Sequence, residues 1–335
     1  MTRPNATHLP EQSGWTRVGR SNPLLEYIDN ALRGCGQVIF MDNPLTGILN
    51  FVAMFWGAHT GGTTLAVAIG SVVGTFVATA VAYLLRVDRG ALRMGLYGFN
   101  GMLVGAGIPT FLGATPVMWV VLVLASAAST VVMLAVANMM STFKAPAFTF
   151  PFVLTTWFVM LAAYKLSALS IVGLPHAALA VPPAAAGGTY EIYEFIRASF
   201  VSVSQVFFVD DPISGAIFLL ALVVESRWCA GLALFGGAVG VGVAMLMGAD
   251  VNMINHGLWG YSAVLTAPAI GTVFMKTNPG TLIFAAAATV MTVLVQAAMF
   301  TATGTLGIPA FTFPFVLTSW LFVIAQRNFE PRSTT

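Results

Sequence analysis

The sequence predicts an all-α integral membrane protein made of two inverted repeats, each with five transmembrane helices plus one re-entrant pore helix. Three observations carry this. The 335 residues are 58% hydrophobic and only 8% charged, with a mean hydropathy of +0.87, outside the soluble range. No Asp, Glu, Lys or Arg occurs over Asn43–Leu85, Met94–Phe143 or Thr277–Gln326. Each such run has room for roughly two helices of the ~20 residues that cross a hydrocarbon core. Finally, PAFTFPFVLTTW from Pro146 returns as PAFTFPFVLTSW from Pro309, 163 residues on (309 − 146), with one substitution.

The repeated phrase has companions in the same order. QVIFMDNPLTG from Gln37 pairs with QVFFVDDPISG from Gln205, and GLYGFNGMLVG from Gly95 pairs with GLWGYSAVLTA from Gly257. The chain therefore divides into an N-terminal tail over 1–22, a first repeat over 23–165, a linker over 166–189, a second repeat over 190–327 and a C-terminal tail over 328–335.

Taken in order, the first twenty residues are polar and lack the apolar stretch of a signal peptide, so they read as a cytoplasmic tail. LLEYIDNALRGCGQVIF is amphiphilic, too short and too charged to cross. In the DNP that follows, Asn43 caps a helix whose first residue is Pro44, and in the second repeat's DDP Asp211 and Pro212 do the same. Spans are then expected near 44–58, 62–85, 94–113, 116–141 and 148–164. None shows the two-residue alternation of a membrane β-barrel. Pro175, Pro182, Pro183 and a Gly pair mark the linker as a surface connection. YEFIRASFVSVSQVFF opens the second repeat, with spans near 212–226, 228–247, 257–275, 280–303 and 310–326.

Five spans is an odd number, so the second repeat enters the membrane from the opposite side. The cations agree: a cytoplasmic N-terminus puts Arg86, Arg89, Arg93, Lys144, Arg227, Lys276, Arg327 and the tail arginines inside, leaving Lys165 and Arg197 outside. The linker is then extracytoplasmic and both termini are cytoplasmic. Inverted repeats place a substrate path near the bilayer midplane, between the copies.

The short segment before each DNP or DDP ends as a half-helix, leaving carbonyls with partial negative charge and no internal partner. Such acceptors suit a neutral solute rich in N–H donors. Gln37 and Gln205 stand at these ends, either to meet that solute or to bond a neighbouring helix. Phe40 and Phe208 follow three residues on; Phe99 and Tyr261, with Leu103 and Leu265 one turn later, offer the walls of a flat slot. Thr149 and Thr312 are the only polar side chains in PAFTFPF. Their hydroxyls either serve the path or bond back to a carbonyl one turn earlier.

Other features read as packing. Cys35 and Cys229 sit in apolar surroundings as small buried hydrophobes. Gly101 and Gly105 form a GxxxG for close helix contact. His59, His176 and His256 lack metal-ligand spacing, and the Asn5 sequon lies on the cytoplasmic side. With no phosphate loop, nucleophile elbow or catalytic carboxylate pair, neither an enzyme nor a cofactor or metal site is expected.

At these doubled NPLTG-like and PAFTFPFVLT-like phrases, with GFNG between them, the sequence resembles the urea transporter family over about residues 23–327. The resemblance implies a channel-like facilitator, homotrimeric, with one pore per protomer. Urea would file edge-on past two oxygen ladders flanked by phenylalanines. Carried over by position, Gln37, Val38 and Phe40 belong to one mouth and Gln205, Val206 and Phe208 to the other. Phe99, Leu103 and Leu265 bound the slot, with Tyr261 where the first repeat has Phe99, and Thr149 and Thr312 lie near its centre. Some relatives carry glutamate where Gln205 stands. The implied ligands are urea and small analogues in a lipid environment, and the short tails point to a prokaryotic inner membrane.

Two rival readings stay open at this point. An ion-coupled transporter of a small amide or amine would need an ionisable centre, for which Asp42, Asp210 and Asp211 are the candidates. An ammonia or water pore is also compatible with an aromatic slot.

Overall fold

The computed structural model describes residues 22–181 and 191–326. The chain runs through α1 (Pro23–Gln37), α2 (Pro44–Thr60), α3 (Leu65–Leu84), α4 (Arg89–Arg93), α5 (Gly98–Phe111), α6 (Pro116–Ser141) and α7 (Phe150–Ala163). After the linker come α8 (Ile192–Gln205), α9 (Pro212–Val223), α10 (Arg227–Leu246), α11 (Val251–Asn255), α12 (Tyr261–Pro268), α13 (Pro279–Gly304) and α14 (Phe313–Ala325). No β-strand forms among the described residues. An isolated bridge joins Leu112 to Ile171, in the part of the linker that is described. The expected tails, the Asn5 sequon, Arg327, and Pro182 with Pro183 and the Gly pair lie outside the described residues.

Four helices, α3, α6, α10 and α13, are long and apolar enough to cross a membrane, which makes this a multi-helix membrane protein. The other expected spans are shorter. Those near 44–58, 148–164, 212–226 and 310–326 are helices of 17, 14, 12 and 13 residues. At 1.5 Å per residue even 17 residues cover only ~26 Å, so such helices require protein around the non-helical chain at their ends.

The runs 94–113 and 257–275 are not continuous spans. Each opens in a tight reversal at Gly95 (φ 74) or Gly257 (φ 67), and helix begins only at Gly98 or Tyr261. These turns seat against α1 and α8. A Cβ on Gly95 would lie 2.3 Å from the Gly34 nitrogen, and one on Gly257 2.6 Å from the Ser202 nitrogen. In the second run Pro268 interrupts the helix, which continues as a π-turn over Ala269–Val273.

The expected caps are present. Asn43 Oδ1 accepts from Leu45 N at 2.9 Å and Asp211 Oδ2 from Ser214 N at 2.6 Å, with Pro44 and Pro212 at the first helical turn. Asn43→Ala is expected to lower stability by about 1 kcal/mol, measurable as a lower midpoint of thermal unfolding in detergent. An unchanged midpoint would mean that the cap is redundant with packing.

The GxxxG works as a packing device. A Cβ on Gly101 would fall 2.4 Å from the Gly74 carbonyl oxygen and one on Gly105 2.0 Å from that of Gly70, so α3 and α5 cross backbone to backbone. Cys35 and Cys229 are buried and reduced, as expected of small apolar side chains.

Candidate functional site

The two PAFTFPF phrases meet at their threonines. Thr149 Oγ1 and Thr312 Oγ1 lie 2.6 Å apart and both residues are buried. Each threonine is the residue before its helix, yet neither hydroxyl caps that helix. The residue preceding each, Phe148 (φ 50) or Phe311 (φ 48), adopts the left-handed conformation, which costs an L-residue about 1–2 kcal/mol. Such unfavourable backbone persists only where the surroundings over-determine it.

Phe40 (φ 67) and Phe208 (φ 61) share that conformation. Each ends a half-helix in a Schellman-type turn, at the position glycine usually holds. Met41 N donates to Gly36 O at 3.1 Å, and Val209 N to Ser204 O at 3.2 Å. These turns satisfy part of the helix end only: no hydrogen bond among the described residues reaches the Val38 or Val206 carbonyl.

The strained phenylalanines organise two ring clusters. In the first, Phe40 and Phe148 both pack on Phe274 (5.9 and 5.1 Å) and on Phe315 (6.0 and 5.1 Å). In the second, Phe208 and Phe311 pack on Phe111 (6.4 and 5.8 Å) and on Phe152 (6.1 and 5.1 Å). The chain neighbours Phe148–Thr149 and Phe311–Thr312 tie each cluster to the threonine pair. A cavity of about 670 Å³ opens beside the second cluster and is lined in part by Gln205, Val206, Phe208, Tyr261, Phe311 and Thr312.

Six of the twelve sequence-selected residues are thus drawn together directly: Thr149 and Thr312, Phe208 with Gln205 and Val206 on the cavity, and Tyr261, whose hydroxyl donates to Phe311 O at 2.8 Å. Gln37 behaves differently from Gln205. Its Nε2 donates to Met94 O at 2.7 Å, a bond to a neighbouring segment. Phe40 enters the first ring cluster, Val38 is buried at the end of α1, and Phe99, Leu103 and Leu265 are buried on α5 and α12. Sequence reasoning overlooked Phe111 and Phe274. The signal was available, because they stand 163 residues apart (274 − 111), the offset of the long phrase.

Each carboxylate that might have served ion coupling is engaged. Asp42 Oδ1 accepts from Arg33 Nη1 at 2.8 Å, and Arg33 also holds Asp29 at 2.8 Å. Asp210 pairs with His256 and lies 3.9 Å from Arg197, while Asp211 caps α9. No group of three or more potential metal ligands occurs among the described residues.

Comparison with known proteins identifies the family. A family model described as Urea transporter matches residues 28–327. Urea transporter 1 of Ovis aries is 30% identical over 307 residues, covering 90% of this chain and 77% of its own length. Urea transporter 1 of Rattus norvegicus is 30% identical over 310 residues, with the same coverage. Such proteins are transporters rather than enzymes. Matched by the family model over residues 28–327 and 30% identical to these relatives across 90% of its length, this chain belongs to the urea transporter family.

Proposed function

We propose that the chain carries urea passively across the membrane, through the cavity and between the two ring clusters, past Thr149 and Thr312. Family membership supports urea transport. The observation that carries the pathway is the threonine pair, a buried polar contact joining residues next to two apolar four-ring clusters. Urea is planar, uncharged and rich in N–H donors. The Val38 and Val206 carbonyls, the Gln205 amide and the threonine hydroxyls offer it acceptors. Ring walls replace none of an ion's hydration, so a charged solute loses its water without compensation.

The engaged carboxylates support passivity: Asp42 is ion-paired with Arg33 and Asp210 is hydrogen-bonded to His256, so neither takes up a proton or sodium ion without disturbing a partner. In proteoliposomes, urea equilibration should be rapid, electrically silent and unchanged by imposed proton or sodium gradients. Accumulation of urea above the outside concentration would overturn this reading.

The same proposal includes the architecture. Inverted repeats over 23–165 and 190–327, joined by an extracytoplasmic linker, are supported by the phrase offsets and by the reciprocal contacts of matched residues. The cation distribution supports cytoplasmic termini. The homotrimer and a prokaryotic inner membrane rest on the resemblance alone; the relatives above are mammalian. Gln37, Val38, Phe40, Phe99, Leu103, Gln205, Val206, Phe208, Tyr261 and Leu265 complete the proposed path.

A further inference from the structure

We propose that Trp157 and Trp320 are positioning residues that hold the threonine pair in register, each indole clamping the loop that carries the other phrase's threonine. The proposal rests on the reading that Thr149 and Thr312 lie on the urea path. Trp157 Nε1 donates to Pro309 O at 2.9 Å, and Trp320 Nε1 donates to Pro146 O at 2.8 Å. Each tryptophan is the last residue of its twelve-residue phrase, and each proline is the first residue of the other.

The remaining contacts between the phrases obey the same reciprocity. Trp157 meets the Phe313 ring edge-on at 5.2 Å, and Trp320 meets Phe150 at 5.2 Å. Phe148 meets Phe315 and Phe152 meets Phe311, both at 5.1 Å, while Phe150 meets Phe313 at 5.8 Å. Thr149 meets Thr312. First position therefore contacts twelfth, third contacts seventh, and fourth and fifth contact themselves. When residue i touches j and j touches i, the surface is self-complementary about a two-fold axis. A self-complementary contact requires both partners to present the same residues, which is a physical reason for one chain to contain this phrase twice.

The clamp acts where the backbone most needs support. The residues before α7 and α14 are non-helical, and the proline carbonyls have no helical partner. Three residues after each clamped proline comes its threonine, directly preceded by a left-handed phenylalanine. Released from the indole, that phenylalanine is free to relax toward ordinary backbone angles and rotate the threonine out of line. Indole nitrogen is a donor only, so removing the N–H while keeping the ring isolates the effect.

The test reads the threonine separation without using transport. In a background with Cys35→Ala and Cys229→Ala, Thr149→Cys and Thr312→Cys are introduced and the rate of disulfide formation under mild oxidation is measured. Two clamp variants are compared: Trp157→Phe with Trp320→Phe, and benzothienylalanine at both positions, which replaces only the N–H by sulfur. Cross-linking should slow about tenfold for the loss of two hydrogen bonds. With both threonines intact, the flux ratio of N-methylurea to urea should rise in the same variants. An unchanged cross-linking rate in the benzothienylalanine protein overturns the clamp, even if the phenylalanine protein fails to fold. Slower cross-linking with unaltered flux and selectivity upholds the clamp and overturns the placement of the threonines on the urea path.

Discussion

Thr149→Val combined with Thr312→Val is expected to leave a folded protein in which urea flux falls about tenfold or more. Valine matches threonine in shape and lacks the hydroxyl. Replacing both partners of a buried hydrogen bond by apolar groups of the same shape is nearly neutral for stability, whereas a solute amide crossing a dry gap forfeits about 1–3 kcal/mol, and about 1.4 kcal/mol already corresponds to tenfold in rate. The single variants should behave in the opposite order for stability. Thr149→Val alone strands the Thr312 hydroxyl, now 3% exposed and without its 2.6 Å partner, so its thermal midpoint should fall below that of the double variant. Stopped-flow flux in proteoliposomes and thermal unfolding in detergent read the two effects separately. A double variant that conducts like the parent would reduce the threonine contact to packing.

The largest structural effect is expected from Gly105→Val. The added Cβ would meet the Gly70 carbonyl oxygen at 2.0 Å, and backbone cannot swing aside as a long side chain can. Overpacking of this kind costs at least about 1–3 kcal/mol. Here it would also wedge α3 from α5, the helix that carries Phe99, Leu103 and Phe111. Little protein should survive as a monodisperse species on size exclusion, and what does should show reduced urea flux. Gly231→Ala is the matched control: nothing lies within 4 Å of the new Cβ, and replacing a helical glycine by alanine should raise stability by about 0.5–1 kcal/mol. A Gly105→Val protein as stable as the parent would mean that the two helices do not cross this closely.

Much of the molecule is written in local terms and was readable from the chain alone. Uncharged runs of membrane length, Asn43 and Asp211 before prolines, Gly101 and Gly105 one turn apart, and a phrase spelled twice each depend on neighbouring residues or on plain repetition. Helix caps and hydropathy need nothing more. The breaks at Gly95, Gly257 and Pro268 were missed because an unbroken apolar run also describes a helix interrupted inside the protein.

The site itself needed the packed structure. Helices apolar all round give no stripe to say which face turns inward, so Phe99 and Leu103 on α5 could not be told from Phe111 as the residue that joins a ring cluster. Phe40, Phe148, Phe274 and Phe315 come from four separate segments, and no spacing in the chain brings them to one place. Nor does the sequence distinguish Gln37, tied to Met94 O, from Gln205 on the cavity wall, although both stand in the same repeated phrase. The repetition of PAFTFPFVLT showed that two segments matter to each other. That Trp157 reaches Pro309 while Trp320 reaches Pro146, aligning two hydroxyls between them, depends on how the two helices cross, which is set by packing across more than a hundred residues of intervening chain.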